Sequence, residues 1–150
     1  MLKKAKIIRL IGFLMAALAF ALPAVRSADA GSGSGPYSGW LCAVTAASAT
    51  GGLIRSGLGS DALGSLTLVL SGWVNPLVVM YLLFLLGARF VVARRVVAAA
   101  ILVCLMATWI FLAKAPMIPL VGHFLWVGGI FLVLAPEVFT LFRNKVTADE

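Results

Sequence analysis

The sequence predicts an all-α membrane protein: three transmembrane helices in the mature chain after an N-terminal signal peptide, plus a short extracytoplasmic or interfacial helix. Hydrophobic residues make up 63% of the 150 residues and charged residues 11%, whereas soluble domains have about half apolar and about a quarter charged residues. Three long apolar runs occupy residues 66–87, 96–113 and 117–142. Since a helix needs about 20 residues to cross the hydrocarbon core of a bilayer, each run is expected to span a membrane.

The first 30 residues have the three-part pattern of a secretory signal peptide. A cationic start precedes an apolar stretch at 10–22, and the segment ends on Ala28, Asp29 and Ala30. We therefore expect cleavage after Ala30. The alternative is an uncleaved anchor helix, because residues 7–25 are almost long enough to span. Both versions place the following residues outside the cytoplasm.

Residues 31–65 are predicted to form a Gly/Ser-rich extracytoplasmic and interfacial segment. It opens with GSGSGP at 31–36, a composition typical of flexible linkers. The stretch at 40–54 is apolar but rich in Ala, Thr and Ser and too short for a comfortable span, so we expect a helix at the membrane surface or a partly re-entrant one. The three-helix transmembrane region follows at 66–142, and residues 143–150 are expected to form a cytoplasmic tail.

Positive charges in the connections predict the orientation of the spans, because cytoplasmic loops carry an excess of Lys and Arg. Five basic residues are predicted to lie inside: Arg89, Arg94, Arg95, Arg143 and Lys145. Arg55 and Lys114 are predicted to lie outside. The lysine-rich leader favours a bacterium, so the predicted location is the bacterial cytoplasmic (inner) membrane, with the mature N-terminus outside and the C-terminus in the cytoplasm.

The net charge of +7 does not predict nucleic-acid binding. Five cations and one carboxylate give the first 30 residues +4 of this total, and the remaining charges form no continuous basic face. The expected partners are the lipid bilayer and a membrane protein or a second copy of the chain, with no nucleic acid.

Polar residues at matching depths predict a cluster that faces the outside. Thr67, Ser71 and Asn75 follow each other at intervals of four residues and share one helix face. Thr108 in the second span and His123 in the third are expected at a similar depth. Such a cluster fits interhelical hydrogen bonds or a polar cavity for a solute or ion. Because His123 is the single histidine and zinc sites need three or four protein ligands, neither a metal nor a cofactor is expected.

Glu137 lies near the cytoplasmic end of the third span, at the predicted level of the arginine-rich connection. A carboxylate inside a span is costly unless it is paired. We therefore expect a structural ion pair between Glu137 and Arg89, Arg94 or Arg95.

Small residues on each span predict close helix packing, since they let two backbones approach. They are Gly72 beside Pro76 in the first span, Ala100 and Cys104 in the second, and Gly122 and Gly129 in the third. Pro76 is also expected to kink its helix. Three such faces fit either a tight monomeric bundle or self-association.

The sequence contains no phosphate-binding loop, nucleophile elbow or zinc-ligand helix, so an enzyme is not expected. The first interpretation is a non-enzymatic accessory or structural subunit that acts through helix packing. The alternative is a small transporter or channel component with an outward-facing polar cavity. As a second alternative, the export signal, the short apolar segment around Cys42 and the cationic turn resemble those of conjugative pilin subunits, which implies a secretion-system subunit, although the third span departs from that pattern.

Overall fold

A computed structural model of the protein describes residues 2–28, 35–56, 61–87 and 90–146. Most of these residues are helical. The helices are α1 (Leu2–Ala19), α2 (Gly39–Ser56), α3 (Ala62–Leu85), α4 (Val91–Lys114) and α5 (Val121–Val146). Among the described residues, three segments are long and apolar enough to cross a membrane: Ala62–Leu85, Val91–Lys114 and Val121–Phe139. The three predicted spans therefore correspond to helices with the length and composition needed to cross a membrane.

The structure also contains a small sheet that the sequence did not predict. Its strands are β1 (Pro23–Ser27), β2 (Tyr37–Ser38) and β3 (Met117–Pro119), in the antiparallel order β2-β1-β3. The predicted third run therefore starts as a strand, and its helix begins at Val121. Pro116 precedes β3, and Pro119 is its last residue. Because proline has no N–H and cannot continue a helical hydrogen-bond ladder, these residues favour a strand over the start of a helix.

Helix α4 begins at Val91 rather than at residue 96. Arg94 and Arg95 therefore lie in its first turns and not in a loop, and the backbone N–H of Arg94 donates to the carbonyl of Phe90 at 2.9 Å. Arginine and alanine are good helix formers, and long arginine stems can lie along apolar surface while the charged group reaches the membrane boundary. Arg89, with residues 29–34 and 147–150, lies outside the described part of the chain.

Two antiparallel helix pairs build the bundle. Helix α3 packs along α4, helix α5 packs along α1, and a shared core of buried side chains from α3, α4 and α5 joins the pairs. Helix α2 packs on α3 and contains the stretch predicted as an interfacial helix; its location relative to the bilayer stays a prediction. One end of the bundle carries the sheet and is called the sheet end. The opposite end, where Arg9, Arg94 and Arg95 meet Glu137, is called the charged end.

At the sheet end, Asp61 fixes the start of α3 against the end of α4. Its side chain accepts a hydrogen bond from the backbone N–H of Gly64 at 3.0 Å and another from Nζ of Lys114 at 2.8 Å. These two partners hold the pKa of the Asp61 carboxyl below its usual value, with the Lys114 contact contributing most. The carboxylate therefore caps the helix and ties α3 to α4.

The residues predicted as a signal peptide form α1 and β1 and pack against the rest of the molecule. A Cβ atom on Gly12 would lie 2.5 Å from the carbonyl oxygen of Gly129, and one on Gly129 would lie 2.6 Å from the carbonyl oxygen of Gly12. The two backbones thus touch at a point where only glycine fits. The opposite face of α1 exposes large apolar side chains, including Ile7, Leu10 and Leu14, as expected for contact with lipid.

We predict that Gly129→Ala destabilises the full-length chain while Gly128→Ala does not. A Cβ on Gly128 would meet only the Cε atom of Met15 at 3.8 Å, which is an ordinary contact. The gain in helix propensity is common to both variants, so overpacking at residue 129 should separate their free energies of unfolding by about 1–3 kcal/mol. Thermal unfolding in detergent, followed by circular dichroism, measures this difference.

A chain that begins at residue 31 is the matched control, since it lacks Gly12. There the two variants should unfold at the same temperature. Equal stability of both variants in the full-length chain would show that α1 does not occupy this face of α5.

Candidate functional site

A cavity of about 350 Å³ lies at the sheet end of the bundle. Every helix and strand contributes at least one residue to its wall, and most of these residues are apolar. This volume falls within the range of about 300–1,000 Å³ that is typical of small-molecule sites, which combine apolar walls with a few polar groups.

Four of the five residues predicted as a polar cluster line this cavity: Ser71, Asn75, Thr108 and His123. They come from α3, α4 and α5. The fifth, Thr67, is buried one turn away from Ser71 and does not line the cavity. Its hydroxyl lies within hydrogen-bonding distance of two carbonyls of its own helix, those of Leu63 at 2.9 Å and Gly64 at 3.1 Å.

The two hydroxyl groups at the cavity are satisfied within their own helices. Ser71 donates to the carbonyl of Leu68 at 2.7 Å, and Thr108 donates to the carbonyl of Cys104 at 3.0 Å. A hydroxyl oxygen that has donated its proton still has acceptor capacity. Ser71 and Thr108 can therefore accept hydrogen bonds from a bound molecule without losing these contacts.

Asn75 links α3 to α5 at the cavity wall. Its Oδ1 atom accepts a hydrogen bond from Nε1 of Trp126 at 3.0 Å. The indole N–H can only donate a hydrogen bond, and this contact gives it an acceptor. The Asn75 amide is thus a structural group that borders the cavity.

His123 is a cavity residue whose polar ring is not fully hydrogen-bonded in the described structure. Its side chain is only 5% exposed, and its Nε2 atom has no hydrogen-bond partner among the described residues. The ring meets Trp109 edge-on, with centroids 5.1 Å apart, and lies 5.8 Å from the Trp126 ring. Burying an unpaired polar group costs about 1–3 kcal/mol, so a partner for this nitrogen would be stabilising.

Part of the cavity wall comes from residues that sequence reasoning assigned to the signal peptide. These are Ala19, Phe20, Ala24 and Val25. Cys42 of α2 also lines the cavity, and burial raises the pKa of its thiol. Hydropathy could not identify these residues as wall-forming, because a cleavable leader and a packed helix have the same apolar composition.

Most of the residues predicted for helix packing contact other helices or strands of the same molecule. Gly72 of α3 faces the backbone of Ala46 in α2, and Gly122 of α5 faces the carbonyl of Pro23 in β1. Gly129 faces α1, as described above. In α4, Cys104 is buried in the core and Ala100 is half-buried, whereas Pro76 of α3 is exposed.

Glu137 is 3% exposed at the charged end and lies among three guanidinium groups. Arg94 contacts it most closely, with Nη2 donating to Oε1 at 3.0 Å and Nε lying 3.0 Å from Oε2. Arg95 and Arg9 are farther away, at 3.9 Å and 3.6 Å. The structure thus brings together Glu137 and two of the arginines considered for it, and it adds Arg9, which sequence reasoning assigned to the leader.

Within the described ranges, no three His, Cys, Asp or Glu side chains lie in positions that could hold a metal ion. No protein-family model, curated protein or solved structure matches this chain. The fold and the site therefore define the class to which the chain can be assigned: a small helical protein with three helices long and apolar enough to cross a membrane and a mostly apolar cavity at one end.

We predict opposite outcomes for two substitutions in the cavity wall. Asn75→Leu should lower the free energy of unfolding by about 1–3 kcal/mol, because it leaves the Trp126 N–H without its acceptor. His123→Phe should leave it unchanged or raise it, since no hydrogen bond of Nε2 is lost and a buried nitrogen without a partner among the described residues is removed. Unfolding in detergent, followed by circular dichroism, measures both. A His123→Phe variant that is as unstable as Asn75→Leu would mean that the imidazole has a structural partner.

Proposed function

We propose that this chain binds a small, largely apolar molecule in the cavity at the sheet end, as a small transporter or channel component. The observation that supports this function best is the convergence of Ser71, Asn75, Thr108 and His123, from three helices, on one mostly apolar cavity. Apolar walls with a few polar groups that fix orientation are the usual composition of a small-molecule site.

The polar groups indicate what such a molecule would carry. Ser71 and Thr108 offer acceptor oxygens, and His123 contributes its ring to the wall, with a buried Nε2 that has no partner among the described residues. A molecule with an apolar body and a single hydroxyl, amine or carbonyl group would fit this arrangement. A strongly charged solute would be desolvated by the apolar wall without a counter-charge from the lining.

The proposed orientation places the cavity on the outer side of a bacterial inner membrane. At the charged end the described cations are Lys4, Lys6, Arg9, Arg94 and Arg95, whereas Arg26 and Lys114 belong to the sheet end. Because Lys and Arg accumulate on the cytoplasmic side, this distribution favours a cytoplasmic charged end and an external sheet end.

Cysteine labelling in intact cells tests this function. In a Cys42→Ala, Cys104→Ala background, Ser71→Cys and His123→Cys should react with an uncharged but membrane-impermeant thiol reagent, such as a sugar-linked maleimide, added outside. Thr67→Cys is the matched control, because it is buried on the same face of α3 but does not line the cavity. Labelling is measured by mass spectrometry of the purified protein.

Equal protection at all three positions would overturn the proposal and leave helix packing as the role of the cluster. Labelling of Ser71→Cys only in inverted vesicles would overturn the proposed orientation.

The accessory-subunit interpretation, including a pilin-like subunit, is supported by a different observation. Gly122 and Gly129 form a small-residue face on α5 that is covered by residues of α1 and β1. Removal of residues 1–30 would uncover this face. A helix of a second copy or of another membrane protein could then pack there closely, because small residues permit backbone approach.

The mass of the protein in its native membrane separates the two functions. The cavity requires its wall from residues 19–25, so ligand binding predicts that the full chain of 15.8 kDa is retained. Intact-mass spectrometry of the extracted protein measures this. A mass that corresponds to a chain beginning at Gly31 would mean that the cavity lacks this part of its wall, and it would favour assembly through the uncovered face.

A further inference from the structure

We propose that the arginines at the charged end bind the phosphate of an anionic phospholipid headgroup. This site is separate from the cavity and goes beyond the proposed function. It is formed by Arg94 and Arg95 of α4, Arg9 of α1 and Glu137 of α5.

The first argument is the balance of charge. The described cations at this end are Lys4, Lys6, Arg9, Arg94 and Arg95, and Glu137 is the carboxylate described there. Five cations and one carboxylate give +4. The first turn of α4, which carries Arg94, contains no acidic residue that would lower this total.

The second argument is the geometry around Glu137. One carboxylate can engage one guanidinium through two parallel contacts, and Arg94 takes that position at 3.0 Å on both oxygens. Arg9 and Arg95 remain at 3.6 Å and 3.9 Å, beyond hydrogen-bonding distance. The Nε atoms of Arg9, Arg94 and Arg95 are all buried without a hydrogen-bond partner among the described residues, so Glu137 does not satisfy the three guanidinium groups by itself. A second anion would supply the acceptors that Glu137 cannot.

The third argument is the position of the cluster at the ends of membrane-spanning helices. Arg95 lies close to the start of the α4 span, and its side chain is 40% exposed. Leu86 and Val92 nearby are 85% and 74% exposed, so apolar surface suited to acyl chains borders the cations. Basic pockets between helix ends on the cytoplasmic side are known to take anionic headgroups.

Native mass spectrometry of the full-length chain in a neutral detergent tests this site. Phosphatidylglycerol, phosphatidylcholine and inorganic phosphate are titrated separately. The wild type should bind phosphatidylglycerol more tightly than phosphatidylcholine. Arg95→Gln should weaken phosphatidylglycerol binding about fivefold, the effect expected for loss of one surface cation, and Arg95→Lys should retain most of the affinity.

Arg26→Gln is the matched control, since Arg26 is an exposed cation of β1 at the sheet end. It should leave phosphatidylglycerol binding unchanged. Three results would overturn the proposal: equal affinity for the two lipids, equal loss in Arg26→Gln and Arg95→Gln, or displacement of the lipid by an equal concentration of inorganic phosphate. Circular dichroism of each variant separates loss of binding from loss of fold.

Discussion

The antiparallel contact between α1 and α5 organises both ends of the molecule. In lipid, helices gain little from burying apolar surface against each other, so association depends on close packing and interhelical hydrogen bonds. Gly12 and Gly129 provide that packing, because each lies where a side chain would strike the backbone of the other helix. The contact fixes where α1 ends and therefore where the following strand runs.

Two further features depend on that contact. Carbonyl groups of Phe20 and Leu22, just after α1, accept hydrogen bonds from the first N–H groups of α2, those of Trp40 and Gly39, both at 3.0 Å. The first N–H groups of a helix have no acceptor carbonyl within that helix, so these contacts supply their hydrogen-bond partners. Strand β1 then pairs with β2 and β3 and forms part of the cavity wall. At the charged end, the same helix brings Arg9 to Glu137.

Sequence reasoning succeeded where the relevant signal is local and failed where it is not. The spans follow from composition within each segment. Counting depth along helices of known rise grouped Ser71, Asn75, Thr108 and His123, which line one cavity, but it also included Thr67, which does not. The sheet, by contrast, pairs residues 25–27 with residues 117–119, and no local pattern specifies partners that are so far apart. The start of α4 was misjudged because Arg94 and Arg95 were interpreted as loop residues, although their charges reach the boundary from within a helix.

The packing of α1 could not be predicted for a different reason. A leader and a structural helix share the same cationic start and apolar body. The role of Gly12 in packing is visible only from its contact with Gly129 in the folded chain. The same residues that close the cavity also cover the small-residue face of α5. One copy of the chain therefore cannot have both the complete cavity wall and an uncovered α5 face, so the two proposed functions, binding a small molecule and assembling through α5, require different forms of the chain. The pair of Arg94 and Glu137 does not involve these residues and would persist in either form. Lys4, Lys6 and Arg9 would be lost with residues 1–30, so most of the positive charge at the charged end also depends on whether the leader is retained.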